Sequence, residues 1–223
     1  AIVRFDEKEK NTLLLDIGTN GEMVMGNRDR YVACSTASGP AFEGAKILFG
    51  MRGAAGAIDH ADFKDGELEI SVIGDEKAVG ICGSGLIDII TVLLDEGVIM
   101  PGGRFDRKYE GPLKDRVKDI DGAKCFVLTD DVYLTQKDIR EVQLAKGAIA
   151  AGIEILSKTL GITYDDIDQV LIAGAFGNHM RKESMCRIKL LPPEFIDRIV
   201  PVGNAAGEGS KMALLSKAEY EHS

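Results

Sequence analysis

The 223-residue chain contains no tryptophan, three histidines and four cysteines. Cys34, Cys82, Cys125 and Cys186 lie far apart, and no two make the Cys-x-x-Cys spacing suited to zinc or an iron–sulfur cluster. His60, His179 and His222 form no His-x-x-x-His pair. The composition therefore argues against a metal held by protein nitrogen or sulfur, and each thiol reads as a small buried apolar residue. Basic residues number 27 against 36 acids, a net charge of −9, with no dense basic cluster. Nucleic acid is a poor partner for such a surface. The longest apolar stretches, such as GLIDIITVLL at 85–94, carry an internal acid and are too short to span a bilayer. No basic-then-apolar leader opens the chain, so the expected location is cytoplasmic. Position 1 is Ala, and a core strand follows within a few residues, which suggests a portion of a longer protein.

What is present suffices for a folded core: 45% of the residues are apolar. TLLLDI, EMVMGN and YVACSTA, separated by the short turns GTNG and NRDR, predict an antiparallel meander. The glycine-punctuated stretch from Gly39 to Ile58 predicts a structured loop with a short helix at most. ELEISVI alternates as a strand. From Gly83, the spacing of Leu86, Ile89, Ile90, Leu93 and Leu94 predicts a helix ending near Gly97. Pro101 to Asp119 is polar and charged, a surface excursion by expectation, and KCFVLTDDVYL reads as a strand or small hairpin. Gln136 to Leu160 is the strongest helix, with Thr135 as N-cap, Asp138 three residues on and Gly161 at its end. DQVLIAGAF has the length and β-branched content of a buried strand. RIVPVG and NAAGEGSKMALLSKAEYE close the chain as strand and helix. The predicted class is α/β, with a mixed sheet in which the antiparallel meander joins parallel strands flanked by helices.

Three glycine turns end apolar elements, where absence of a Cβ lets backbone approach a ligand. In DIGTNGE the amides of Gly18, Thr19, Asn20 and Gly21 can cradle anionic oxygens, and Asp16 can reach Mg²⁺ through water. A hairpin in which Asp16 bonds its own turn is the simpler alternative. In GICGSGLID, Gly83, Ser84 and Gly85 open a helix whose free N–H groups attract anions, unless Ser84 serves only as cap. In GAFGNHM, Gly174, Ala175, Phe176, Gly177 and Asn178 leave room for a ring or ribose, or make a tight turn with Asn178 as cap. Together the three fit a nucleoside polyphosphate. Neither a Walker loop nor the dinucleotide fingerprint G-x-G-x-x-G is present. Glu43 and Glu208 read as exposed structural acids, with orienting water or contacting ribose as the alternative; His179 reads equally as a nucleotide-facing or a surface residue, and Cys82 as a packed thiol, with redox sensing as its alternative.

LLLDIGTNGE, ASGPAFEGAKI, GMRGAAGAI, GICGSGLID, QLAKGAI, AGAFGN and VGNAAGEGSKMALLS together resemble the ATP-dependent reductive activators of corrinoid proteins, over nearly the whole chain. That family's large domain is similar to the actin, heat-shock chaperone and sugar kinase superfamily, so the resemblance implies an actin-like, ribonuclease H-like lobe. It implies that Asp16–Glu22 is the second phosphate hairpin, Gly83–Gly85 a helix-start phosphate contact, and AGAFGN the adenosine motif. It further implies ATP and Mg²⁺ as cofactors, with Asp16 as catalytic and metal-holding group. The family's reaction returns inactive cob(II)amide of a corrinoid protein to cob(I)amide for methyl transfer, with an iron–sulfur domain as electron donor. The first phosphate hairpin, of Asp-x-Gly-Thr-Thr type, and any cluster-binding cysteines are absent here. Residues 1–223 thus resemble the C-terminal nucleotide-binding lobe of a longer multidomain protein, with a glycine-rich and polar insertion around 40–130. The activity expected of the longer protein is an ATPase coupled to electron transfer.

Two other readings stay open. The chain can be a docking module for the corrinoid protein, contacting it through the Pro101–Asp119 excursion and keeping only a weak nucleotide site. It can also serve another low-potential enzyme, such as a hydroxyacyl-CoA dehydratase. A small-molecule phosphotransferase is disfavoured for want of a general base. Whether the chain forms a homodimer is not legible.

Overall fold

A computed structural model describes residues 3–174 and 179–222. Its strands in chain order are β1 (Thr12–Ile17), β2 (Gly21–Gly26), β3 (Tyr31–Thr36), β4 (Ala57–Lys64), β5 (Glu67–Val72), β6 (Gly80–Ile81), β7 (Val117–Ile120), β8 (Ala123–Val127), β9 (Tyr133–Thr135), β10 (Gln169–Ala173) and β11 (Ile199–Gly203). The α-helices are α1 (Gly83–Asp95), α2 (Gln136–Leu160), α3 (Lys182–Arg187), α4 (Ala205–Leu215) and α5 (Lys217–His222).

The main sheet has the order β11-β10-β1-β2-β3. β1, β2 and β3 form the expected antiparallel meander, while β10 runs parallel to both β1 and β11. Alternation along β1 explains its seat: Leu13, Leu15 and Ile17 are buried, whereas Leu14 and Asp16 on the other face are partly open. Central β10 is buried from Val170 to Ala173 on both faces, as its unbroken apolar run demands. The register sets Asp16 opposite Ala173 on one side and Glu22 on the other.

Helix α2 covers β2 and β3 with Ile149 and Ile153, both fully buried. Its ends follow the sequence signals. The Thr135 hydroxyl accepts from the Asp138 amide at 3.1 Å, and the Asp138 carboxylate accepts from the Thr135 amide at 2.8 Å. Gly161 terminates it at φ 73°. A second sheet, β5-β4-β6, supports α1, and a third, β7-β8-β9, leads into α2. One continuous apolar core joins these layers, running from Leu15 through Ile58 and Leu86 to Leu134.

Four elements differ from the sequence-based expectation. The glycine-rich loop ends earlier than Ile58 because β4 begins at Ala57, its alternation masked by Asp59, His60 and Asp62. The Pro101–Asp119 excursion is not wholly superficial, since Phe105 and Leu113 are buried and β7 starts within it. A short helix, α3, precedes β11. The last helix breaks at Ser216, which adopts an extended backbone (φ −137°) between α4 and α5. Among the described residues no helix is long and apolar enough to cross a membrane.

Candidate functional site

A cleft of about 680 Å³ opens where the ends of β1, β10 and β11 meet the start of α1. It is lined by Asp16, Ile17 and Gly18 from the first turn, Gly83 and Ser84 from the helix start, and Gly174 from the end of β10. Asn204 and Ala206 close it from the next helix start. The hairpin acid and the helix terminus, 67 residues apart in sequence, therefore face one space.

The geometry at Asp16 explains the glycine that follows β10. Gly174 sits at φ 95°, and a Cβ there would lie 2.6 Å from the Ile17 carbonyl oxygen and 2.7 Å from Asp16 Oδ1. Any side chain would push the carboxylate out of its place. Burial and then the neighbouring Glu22 raise the Asp16 pKa above its ordinary value. An arriving cation would relieve both penalties.

At α1 the N-cap is Cys82, in extended conformation and without a side-chain cap, not Ser84. The Ser84 hydroxyl lies 3.4 Å from the Cys82 sulfur. No acid occupies the first turn. The initial N–H groups are thus left without the usual side-chain acceptor, at the positive end of a 13-residue helix. Gly85 does something else: a Cβ there would fall 2.2 Å from the Ile58 carbonyl oxygen, so it lets α1 lie directly on β4.

Other expected residues distribute unevenly. The Gly18 amide donates to the Asn20 carbonyl at 2.9 Å, closing the turn on itself. Thr19 and Asn20 are exposed and do not line the cleft; the Thr19 hydroxyl donates to Glu43 at 2.7 Å. Gly21 is buried, its α-carbon facing Thr36 and Ile149. Ala175, Phe176, Gly177 and Asn178 lie outside the described residues. Glu43 is half-buried in the cleft wall, and His179 also lines it. Glu208 is exposed and pairs with Lys211. Cys82, Cys125 and Cys186 are buried as expected of packed thiols, whereas Cys34 on β3 is only half-buried, and all four are free.

Arg52, Asp59 and His60 line the cleft as well, and sequence reasoning missed them. Arg52 has no hydrogen-bond or ion-pair partner among the described residues, and Asp59 Oδ1 is buried without one. His60 is oriented from behind. Its Nδ1 lies 2.8 Å from Oδ2 of buried Asp88, whose other oxygen accepts from the Ser184 hydroxyl at 2.6 Å. Arg181 Nε approaches Asp88 at 3.5 Å and grips Asp62 with two bonds of 2.7 and 3.1 Å. Hydrogen bonding to Arg181 holds the Asp62 carboxyl below its usual range. This network ties the segment just after Asn178 to both β4 and α1. A lone arginine inside GMRGAAG was the one local signal for this wall.

Among the described residues no group of three or more histidine, cysteine or carboxylate side chains is arranged to hold a metal. A magnesium ion here would take most ligands from phosphate and water, with Asp16 as its protein contact.

Residues 10–223 match the family model described as the C-terminal domain of RACo, the ASKHA domain. A relative of 41% identity across 95% of this chain is the corrinoid activation enzyme RamQ of Eubacterium limosum. Another, 29% identical over 94% of the chain, is the [Co(II) methylated amine-specific corrinoid protein] reductase of Methanosarcina barkeri. Among solved structures, a reductive activator for corrinoid, iron-sulfur protein superposes on 99% of the chain with a TM-score of 0.90 at 36% identity, over 36% of its own length. The chain spans about two fifths of the curated relatives' length, 38% and 40%. Family membership implies a nucleotide site, and the fold is the mixed α/β actin-like one. The chain belongs to the family of ASKHA domains found at the C-terminus of RACo, the reductive activators of corrinoid proteins.

Proposed function

We propose that the 680 Å³ cleft binds magnesium-ATP, and that the chain is the nucleotide-binding domain of a longer reductive activator of a corrinoid protein. One observation carries this: the Asp16 turn and the uncapped start of α1 line the same space, in a chain of the ASKHA family. The amides of Gly83 and Ser84 donate to phosphate oxygens, and Arg52 supplies a free cationic donor. Asp16 orients the hydration shell of Mg²⁺. Gly174 and the following Ala175–Asn178 receive the adenosine. Gly18, Thr19, Asn20 and Gly21 shape the turn that holds Asp16, with Gly18 itself at the cleft. Such a site acts by positioning and charge neutralisation, which suits phosphoryl transfer to water.

The four scattered thiols do not fit an iron–sulfur centre, so the electron donor belongs elsewhere in the longer polypeptide. By analogy with a relative named as the reductase of a Co(II) corrinoid protein, the substrate of the whole protein is cob(II)amide on a partner corrinoid protein. Clamping of the post-Asn178 segment by Arg181 and Asp88 joins the nucleotide cleft to β4 and α1, a rigid route by which occupancy can reach the surface.

Titration of a magnesium-ATP analogue into the complete natural polypeptide and its Asp16→Ala variant tests the binding step. Loss of one charge-assisted contact weakens affinity roughly ten- to hundredfold. Equal affinity removes Asp16 from the site.

A further inference from the structure

The chain has eleven arginines. Seven hold a carboxylate or a backbone carbonyl. Of the four with no partner among the described residues, Arg52 lines the nucleotide cleft, and Arg104, Arg107 and Arg140 line a second cleft of about 710 Å³. The two clefts share no residue. Lys124 also lines it, with its ammonium already held by Asp119 at 2.8 Å, and among the described residues no acidic side chain lines this second space. In a protein of net charge −9, that concentration of unneutralised guanidinium groups is a local inversion of sign.

The cations come from three elements held in fixed relation. Gln136, the first residue of α2, donates to the Gly103 carbonyl at 2.8 Å and accepts from the Phe105 amide at 3.1 Å. Buried Phe105 anchors the same loop in the core, between Arg104 and Arg107. Arg140 projects from α2 one turn after Gln136, and Lys124 comes from β8. Three like charges are thus mounted on clamped backbone, where their mutual repulsion gains nothing for folding.

We infer that this cationic cleft is a docking site for an acidic segment of a protein partner. All four charged residues are exposed and distributed around an open rim. Small anions are captured by converging, partly buried donors such as a helix start, whereas scattered exposed arginines match carboxylates spread along a polypeptide. Planar guanidinium groups take carboxylates two bonds at a time. The chain's net charge of −9 disfavours long-range approach of an acidic partner, and the local cluster of unpaired arginines offsets that at the cleft. If the partner is the corrinoid protein, the inference rests on the proposed function for that identity alone; the cleft's preference for acidic polypeptide does not.

The test compares the complete natural polypeptide with its Arg104→Glu/Arg107→Glu/Arg140→Glu variant, using an oligoglutamate peptide and the corrinoid protein as probes over a series of salt concentrations. Wild type is expected to bind oligoglutamate with affinity that falls as salt rises. The reversed variant should lose at least about tenfold in association rate and most of the salt dependence. Binding of a magnesium-ATP analogue should be unchanged in the variant, which shows that it is folded. Equal binding of oligoglutamate by both proteins, or by neither, overturns the inference. Stronger competition by pyrophosphate or an oligonucleotide than by oligoglutamate overturns it in favour of those ligands. Loss of oligoglutamate binding in the variant, with no binding of the corrinoid protein by wild type, upholds the acidic docking site and rejects the partner named under the proposed function.

Discussion

Gly85 offers a sharp test of how α1 is seated. In Gly85→Ala the new Cβ would stand 2.2 Å from the Ile58 carbonyl oxygen and 2.8 Å from its carbon. Ordinary contact begins at 3.4 Å, so the start of α1 must move by 3.4 − 2.2, about 1.2 Å. The obstructing atoms are the backbone of Ile58, itself fully buried in β4, and no side chain can rotate aside. Overpacking of this kind costs about 3 kcal/mol at the upper end. Replacing glycine in a helix returns about 1 kcal/mol, leaving a net loss of about 2 kcal/mol. In a domain of this size that lowers Tm by roughly 4–8 °C. Gly147→Ala in α2 is the control, because nothing lies within 4 Å of its Cβ position. It should gain about 1 kcal/mol from helix propensity alone. Thermal melting by circular dichroism reads both. If Gly85→Ala melts with or above wild type, the close approach of α1 to β4 is wrong, and with it the placement of Gly83 and Ser84 at the cleft.

Other outcomes follow from the same geometry. Asp88→Asn weakens the contacts to His60 and Arg181, both about one third exposed and Arg181 still held by Asp62, and should cost about 1 kcal/mol in urea unfolding, while Ser184 keeps an acceptor. Thr135→Ala removes the hydroxyl that accepts from Asp138 and should cost about 1 kcal/mol, seen as a lower urea midpoint with an unchanged m-value. Asp16→Asn should stabilise the protein in the absence of nucleotide. The folded-state pKa of Asp16 is raised, so the native state holds this proton more tightly than the unfolded chain. Wild-type stability from this group is present below its ordinary pKa of 3.8 and falls as pH rises through the folded pKa. The advantage of Asp16→Asn in denaturant titrations should accordingly grow from acid toward neutral pH; an advantage that shrinks over that range contradicts the burial of this carboxylate beside Glu22.

The elements most legible in the sequence are those whose signals are local. β1 and α2 carry their own periodicity, and α2 also carries its capping pair and its terminating Gly161. β4 was hidden because Asp59, His60 and Asp62 interrupt its alternation, and these are the residues used by the cleft and by Asp88 and Arg181. Asp88 itself looked like an isolated acid in an apolar run. Its partners stand 28 and 96 residues away, at separations no pattern of local spacing reveals. Gly83, Ser84 and Gly85 likewise read as one ligand-facing turn, yet only packing against Ile58 shows that the third serves the helix seat. The three glycine turns were visible singly; their convergence depends on the parallel pairing of β1 with β10, which brings Asp16 beside Gly174.

The claim on which the account depends is that one phosphate chain bridges the β1 turn and the start of α1. A crystal structure of the complete natural polypeptide with magnesium and a non-hydrolysable ATP analogue measures this directly. Phosphate oxygens should lie about 2.7–3.2 Å from the amides of Gly83 or Ser84, with the Asp16 carboxylate on the hydration shell of the ion. Phosphates bound away from α1, with Asp16 facing bulk water, would contradict it.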